Sequence, residues 1–249
     1  IDKPFGDPIK AFAALKAGDI LYVRGGTYHL SQTIKVNQTG TADKRICVFA
    51  YPGDTERPVF DFSGQPRSTS TEAASYRGVM HNIGANYWHY RGLDFCHAAD
   101  NGMKLEGSYC VVELCRFYGN EDTGLQQGFG KDSKGNNTRN TEFKYGRNNI
   151  IVNCDAYDNN DPWTHGGNAD GFAIKLYPGP GNEFHGCRAW HNSDDGWDLY
   201  YTVFPIVVDN CWVLNNGLDK GNANGFKMGG CKQGGTSTGA HVFKNCIAA

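Results

Sequence analysis

The 249-residue chain lacks any apolar stretch long enough to cross a membrane, and it has no run of lysines or arginines. Its 24 basic and 26 acidic side chains leave a formal net charge of -2 and a pI near 6.5, so it offers no basic field for nucleic acid. Paired CxxC clusters are missing and the nine cysteines are odd in number, so neither a zinc motif nor a complete disulfide framework is indicated. No signal peptide heads the chain, where Ile1 leads into a polar, proline-containing segment; the expectation is a protein either cytosolic or already processed. What is abundant is glycine, at 33 residues, together with recurrent asparagine and 13% aromatics. That composition suits many short strands joined by turns rather than helices.

A repeat organises these residues. Cys96 and Asn101, Cys115 and Asn120, Cys154 and Asn159, Cys187 and Asn192, and Cys211 and Asn216 all share the spacing C-x4-N. Short apolar runs precede most of the cysteines, as in Ile150-Ile151-Val152 and Ile206-Val207-Val208, and each reads as a strand. A second element follows: a polar residue, then glycine, then a large apolar one, in Asn101-Gly102-Met103, Asp170-Gly171-Phe172, Asp195-Gly196-Trp197 and Asn224-Gly225-Phe226. Successive cysteines from Cys96 to Cys246 lie 19, 39, 33, 24 and 35 residues apart, which leaves no room for crossover helices. The expected fold is all-β, one parallel β-solenoid over residues 1–249, with equivalent positions stacked about 4.8 Å apart. The cysteines then read as small buried hydrophobes in a stack rather than redox groups, and the asparagines as side-chain ladders.

Pro8 to Ala17 has the pattern of a short amphipathic helix ended by Gly18, placed to cover the open end of the coil. At the other end the chain stops before the asparagine expected after Cys246, so further C-terminal coils are expected in the native protein. Residues 63–77 and 126–149 are polar and rich in turn formers, and they read as loops walling a cleft.

The segment HNSDDGWDLY, residues 191–200, crowds three aspartates into five positions. If the polar-Gly-apolar motifs are equivalent, Asp170 lies one rung below Asp195, and Asp198 pairs with Lys227. Asp170, Asp194, Asp195 and Asp198 are then either a solvated turn or a cage of hard oxygen donors suited to Ca²⁺, and spacing alone leaves both open. Asp194 and Asp195 converge only if the chain bends, which Gly196 is expected to allow. Lys227 is either a surface charge or, beside a metal and other cations, an amine whose pKa falls toward that of a useful base. Lys175, one rung below Tyr200, is a second candidate cation, and Lys104 shares the column of Lys227. Trp163, His165, Tyr200 and Tyr201 are candidate sugar-packing aromatics. Arg188 follows a core cysteine and receives no role.

The block ADGFAIKLYPGPGNEFHGCRAWHNSDDGWDLY, followed by NNG and NANGFKMGG, closely resembles polysaccharide lyase family 9. The resemblance is specific over residues 165–230 and extends from residue 5 onward. It implies a right-handed parallel β-helix and a secreted, periplasmic or cell-surface enzyme whose signal segment is absent from this chain. It further implies a monomer acting on an acidic pectic polysaccharide, either homogalacturonan or rhamnogalacturonan I. The resemblance places Ca²⁺ on Asp170, Asp194, Asp195 and Asp198 and makes Lys227 the Brønsted base of a β-elimination. Two rival readings stay open on the residues alone. One is a β-helical hydrolase resembling a polygalacturonase and using Asp170, Asp194 and Asp195 as acid and base. The other is a non-catalytic polysaccharide-binding solenoid in which Lys227 is dispensable.

Overall fold

The computed structural model describes residues 4–233 and 235–249. Among the described residues, 23 strands form three parallel sheets of eight, eight and seven strands. Each sheet takes every third strand, so the chain visits the three sheets in rotation and gains one rung per circuit. The architecture is a parallel β-helix, counted here in coils. Coil one holds strands Ile20–Val23, Gly26–His29 and Ile34–Val36. Coil six holds Glu183–His185, Arg188–Trp190 and Trp197–Asp198, and coil seven holds Val207–Asp209, Trp212–Leu214 and Phe226–Lys227.

Strand alternation sends every second residue inward, and the parallel register stacks like on like. In the second sheet Phe60, Phe95 and Phe117 pile up with ring centroids 5.3 and 5.5 Å apart, while Ala156 and Ala189 continue the column. In the third sheet the inward column runs Ile34, Val79, Met103, Leu125, Phe172, Trp197, Phe226. All but Phe226 are fully buried. Each such side chain contributes roughly 1.5–3 kcal/mol of transfer free energy.

The cysteine register needs one correction. Cys115, Cys154, Cys187 and Cys211 are free, buried, and stacked at the turn between the first and second sheets, and Cys246 continues the column. Cys96 instead closes the strand Asp94–Cys96 and pairs with Tyr118, three positions out of phase. The column position in coil three belongs to Leu93, whose carbonyl accepts from Arg116 N just as Cys115 O accepts from Asp155 N. The asparagine ladder is correspondingly Asn120, Asn159, Asn192, Asn216, each Nδ2 donating to the next Oδ1 at 2.8–2.9 Å. Asn101 lies outside it; Ala98 holds that position, its N–H on Asn120 Oδ1.

The glycines of the polar-Gly-apolar motif are required by crowding. A Cβ on Gly171 would sit 2.8 Å from Gly196 O, and one on Gly196 would sit 2.6 Å from Gly225 O. At that turn only hydrogen fits between neighbouring coils.

The N-terminal helix spans Pro8–Ala14, three residues shorter than the sequence suggests. Asp7 caps it, its Oδ1 accepting from Ile9 N and Lys10 N. It stops because Leu15 turns extended to bury its side chain, and Gln38 Nε2 then caps the Phe12 and Ala13 carbonyls. Phe12 stacks on Trp88 at 6.4 Å and meets Phe60 edge-on, covering the apolar interior at this end.

Of the two expected loops, 63–77 lies across the turns of coils three and four, with Ser68 bonded to Ala99 O and Glu121. The second starts later than expected, at Gly128, because Gln126 and Gln127 complete the strand Leu125–Gln127.

Candidate active site

The polar residues that precede the motif glycines stack as the hydrophobic ones do. Backbone bonds from Gly102, Gly124, Gly171 and Gly196 to the carbonyls of Thr123, Asp170, Asp195 and Asn224 fix one column: Asn101, Thr123, Asp170, Asp195, Asn224. A neighbouring column holds Asp100, Asp122, Ala169, Asp194 and Ala223. In the first column the carboxylates of coils five and six, Asp170 and Asp195, stand side by side, and Asp194 flanks them from the second.

Asp170 and Asp195 are fully buried, Asp194 and Asp198 nearly so. Carboxylate oxygens of Asp170, Asp194 and Asp195 lie within 4.8 Å of one another. The convergence arises in the turn over residues 193–196, ahead of the strand Trp197–Asp198, and not from an unusual backbone at Gly196, whose φ is not positive. Asp195 Oδ1 accepts from Asn224 N and Nδ2 at 3.0 and 2.7 Å, and Asp194 Oδ1 accepts from Asn222 N at 2.5 Å. Thr123 Oγ1 donates to Asp170 Oδ2 at 3.2 Å.

Asp198 stands apart from this triad, between two ammonium groups. Lys175 Nζ lies 2.7 Å from Asp170 Oδ2 and 3.2 Å from Asp198 Oδ2. Lys227 Nζ lies 3.0 Å from Asp195 Oδ2 and 3.4 Å from Asp198 Oδ2. Burial on its own would lower the Lys227 pKa, but Asp198 and Asp195 outweigh it and hold the ammonium above its ordinary value. The protein alone therefore does not depress this lysine; the expected lowering was tied to a bound metal. Lys175 is raised further still, burial being overcome by Asp170, Asp198 and Asp122. Burial pushes Asp170 well up, against the pull of Lys175.

The donor set fits a hard divalent cation. Four carboxylates carry -4 and two ammonium groups +2, so the cluster keeps -2 when every group is ionised. Asp195 Oδ2 is buried with Lys227 Nζ 3.0 Å away, in an ion pair too poorly aligned for a regular hydrogen bond, which leaves that oxygen room to meet a second cation.

The cluster forms the floor of a cleft of about 330 Å³ lined by Asp122, Gln126, Lys131, Asn168, Lys175, Asp194, Asp198, Tyr200, Asn222 and Lys227 among others. Tyr200 presents its ring to Lys131 Nζ at 4.9 Å and to Lys227 Nζ at 5.6 Å. Tyr201 is fully buried against Tyr177 and is a core residue, not a sugar platform. Trp163 and His165 are exposed on the loop between strands Asp155–Tyr157 and Phe172–Ile174 and do not line the cleft. Loop 63–77 contributes nothing to its lining, whereas the loop from Gly128 supplies Lys131. Lys104 stands in the column of Lys227 but four rungs away, largely buried, and burial pushes its pKa down to about 8.

Sequence reasoning missed Asp122, whose pKa burial and Asp100 push up to about 6 while Lys175 pulls it down. The signal was present: Thr123-Gly124-Leu125 is the same motif in coil four, with Asp122 placed as Asp194 is.

The whole chain, residues 1–249, matches the family described as "Pel9A-like, right handed beta helix region". It is 36% identical over 268 residues to pectate lyase L of Thermoclostridium stercorarium, covering 98% of this chain and 20% of that protein. Against pectate lyase L of Dickeya dadantii it is 36% identical over 233 residues, or 88% of this chain and 50% of the relative. The chain thus spans half or less of these relatives' length. Among solved structures, pectate lyase Pel9A superposes with a TM-score of 0.79 at 33% identity, over 95% of this chain and 56% of that one. A rhamnogalacturonan lyase superposes with a TM-score of 0.78 at 26% identity, over 99% and 64%.

Proposed function

Because this chain belongs to the Pel9A-like right-handed β-helix family, we propose that it is a polysaccharide lyase that cleaves the uronate backbone of pectin by β-elimination. The observation that carries this reading is the contact of Lys227 Nζ with Asp195 and Asp198 beside the convergent carboxylates of Asp170, Asp194 and Asp195. Calcium held by Asp170, Asp194 and Asp195, with Asp198 as the fourth ligand, would neutralise a uronate carboxylate and so acidify the hydrogen at C5.

The residues of the chain supply the rest. Lys227 is held protonated while Asp195 and Asp198 face it alone, and its amine becomes a base once those carboxylates are otherwise neutralised. Free of them, Nζ accepts the C5 proton and the O4-linked sugar departs, leaving a C4=C5 double bond. Lys175 stays on Asp170 and Asp198 and fixes their orientation. Lys131 and Tyr200, packed against each other in the cleft lining, bind the acidic chain and exclude water.

A hydrolase is a poorer fit. It gives no role to Lys227, whose ammonium sits on Asp195 and Asp198. The substrate is pectic, homogalacturonan or rhamnogalacturonan I, and the solenoid of residues 1–249 works as a monomer outside the cytoplasm. The test is incubation with polygalacturonate and, separately, rhamnogalacturonan I, with Ca²⁺ or EDTA, following the ultraviolet absorbance of the conjugated double bond. The reading requires an absorbance rise on one polymer that EDTA removes. New reducing ends without absorbance would establish hydrolysis instead.

A further inference from the structure

We propose that the outer face of the second sheet carries a separate site for a divalent transition metal of the zinc class, built from Asp61, Cys96 and His97 with His29 as fourth ligand. The residues come from three places in the sequence, His29, Asp61 and the adjacent pair Cys96-His97, so no repeated cysteine or histidine spacing announces them. Parallel register brings them together: His29 pairs with Asp61, and Asp61 with Cys96, so the three project from one face on successive rungs. His97 follows in a left-handed turn, φ 56, which swings its ring back over the column.

One ligand atom each from Asp61, Cys96 and His97 lies within 4.8 Å of the others. His97 Nδ1 is 3.1 Å from Asp61 Oδ1, and His29 Nδ1 is 3.1 Å from Asp61 Oδ2. Asp61 Oδ1 also accepts from Ser63 N at 2.9 Å, which fixes the carboxylate. Metal–ligand bonds of about 2.0–2.3 Å in a tetrahedron place ligands roughly 3.3–3.8 Å apart, so small rotations suffice. His29 stands outside the compact trio, and its side chain, 74% exposed, is free to turn inward. Imidazole, thiolate and carboxylate together select zinc-like ions over calcium.

Binding replaces the protons now shared between Asp61 and the imidazoles and displaces the thiol proton of Cys96 to solvent; no electron changes hands. The ion would pin coils one, two and three together on the second sheet, whereas the acidic cleft lies along the third sheet in coils four to seven.

Isothermal titration with zinc ion, in excess calcium to occupy the cleft and in a Cys231→Ser background to remove an exposed thiol, tests the site. One equivalent is expected, weakened at least about tenfold by His97→Asn and further by adding His29→Asn. Asparagine tolerates the left-handed turn, so His97→Asn keeps the fold, verified by an unchanged Tm in EDTA. Cobalt(II) should give a thiolate charge-transfer band that Cys96→Ser abolishes, and zinc should raise Tm in the background protein alone. Failure of the background protein to bind zinc would overturn the proposal, as would an identical isotherm in the His29→Asn/His97→Asn variant.

Discussion

The ring of His81 is fully buried, its Nε2–H donating to Ala85 O while the Tyr90 hydroxyl lies 3.0 Å from Nδ1. Burial pushes its pKa down to about 4, only partly countered by the Ala85 bond. The folded state then binds fewer protons than the unfolded chain between about pH 6.5 and about pH 4. Stability is full above that window and is lost as pH falls through it, by up to about 3 kcal/mol. Urea midpoints should therefore fall between about pH 7.5 and about pH 5, and His81→Gln should flatten that slope. Such a residue is invisible to sequence reasoning, because its burial depends on which of two faces the strand turns inward. The cleft shows the same limit. Asp170, Asp194, Asp195, Asp198 and Lys227 were legible because a repeated motif fixes their register. Tyr200 and Tyr201 were not separable, since adjacent residues there face the cleft and the core.

At the scale of the element, one turn of the coil is specified twice, by the asparagine ladder and by the motif glycine. Asn159 sits mid-ladder, taking bonds from Asn120 N and Nδ2 and donating to Asn192 Oδ1. Replacing it with leucine strands buried donors on Asn120 and should cost roughly 2–4 kcal/mol, read as a lower urea midpoint. A loss under about 0.5 kcal/mol would mean that the ladder is ornamental. The ladder was legible in coils four to seven and misread in coil three, where Leu93 replaces the cysteine and Ala98 the asparagine. Leucine and cysteine are interchangeable in a buried stack, so the marker vanished while the geometry persisted. The chance C-x4-N at Cys96 filled the gap.

Across the whole molecule, each strand pairs only with strands of the neighbouring coils, so ligand effects should stay local. Calcium should slow amide exchange over residues 168–199 and 222–227 and leave coils one to three unchanged, a pattern hydrogen-exchange mass spectrometry resolves. Uniform protection would mean that the coils are coupled more tightly than a one-dimensional stack allows. The solenoid itself was legible from period alone, because strand, turn and strand recur too closely for any other connection. The cleft wall was not, because loop paths follow tertiary contacts such as Ser68 on Glu121 rather than composition. The central claim, that Lys227 is the base of an elimination at a calcium-binding cluster, is met most directly by one paired measurement on Lys227→Ala: initial rate of double-bond formation and calcium affinity in the same preparation. The account predicts a rate lower by about 10²–10⁴-fold with calcium still bound. Retention of the wild-type rate with calcium bound would contradict it.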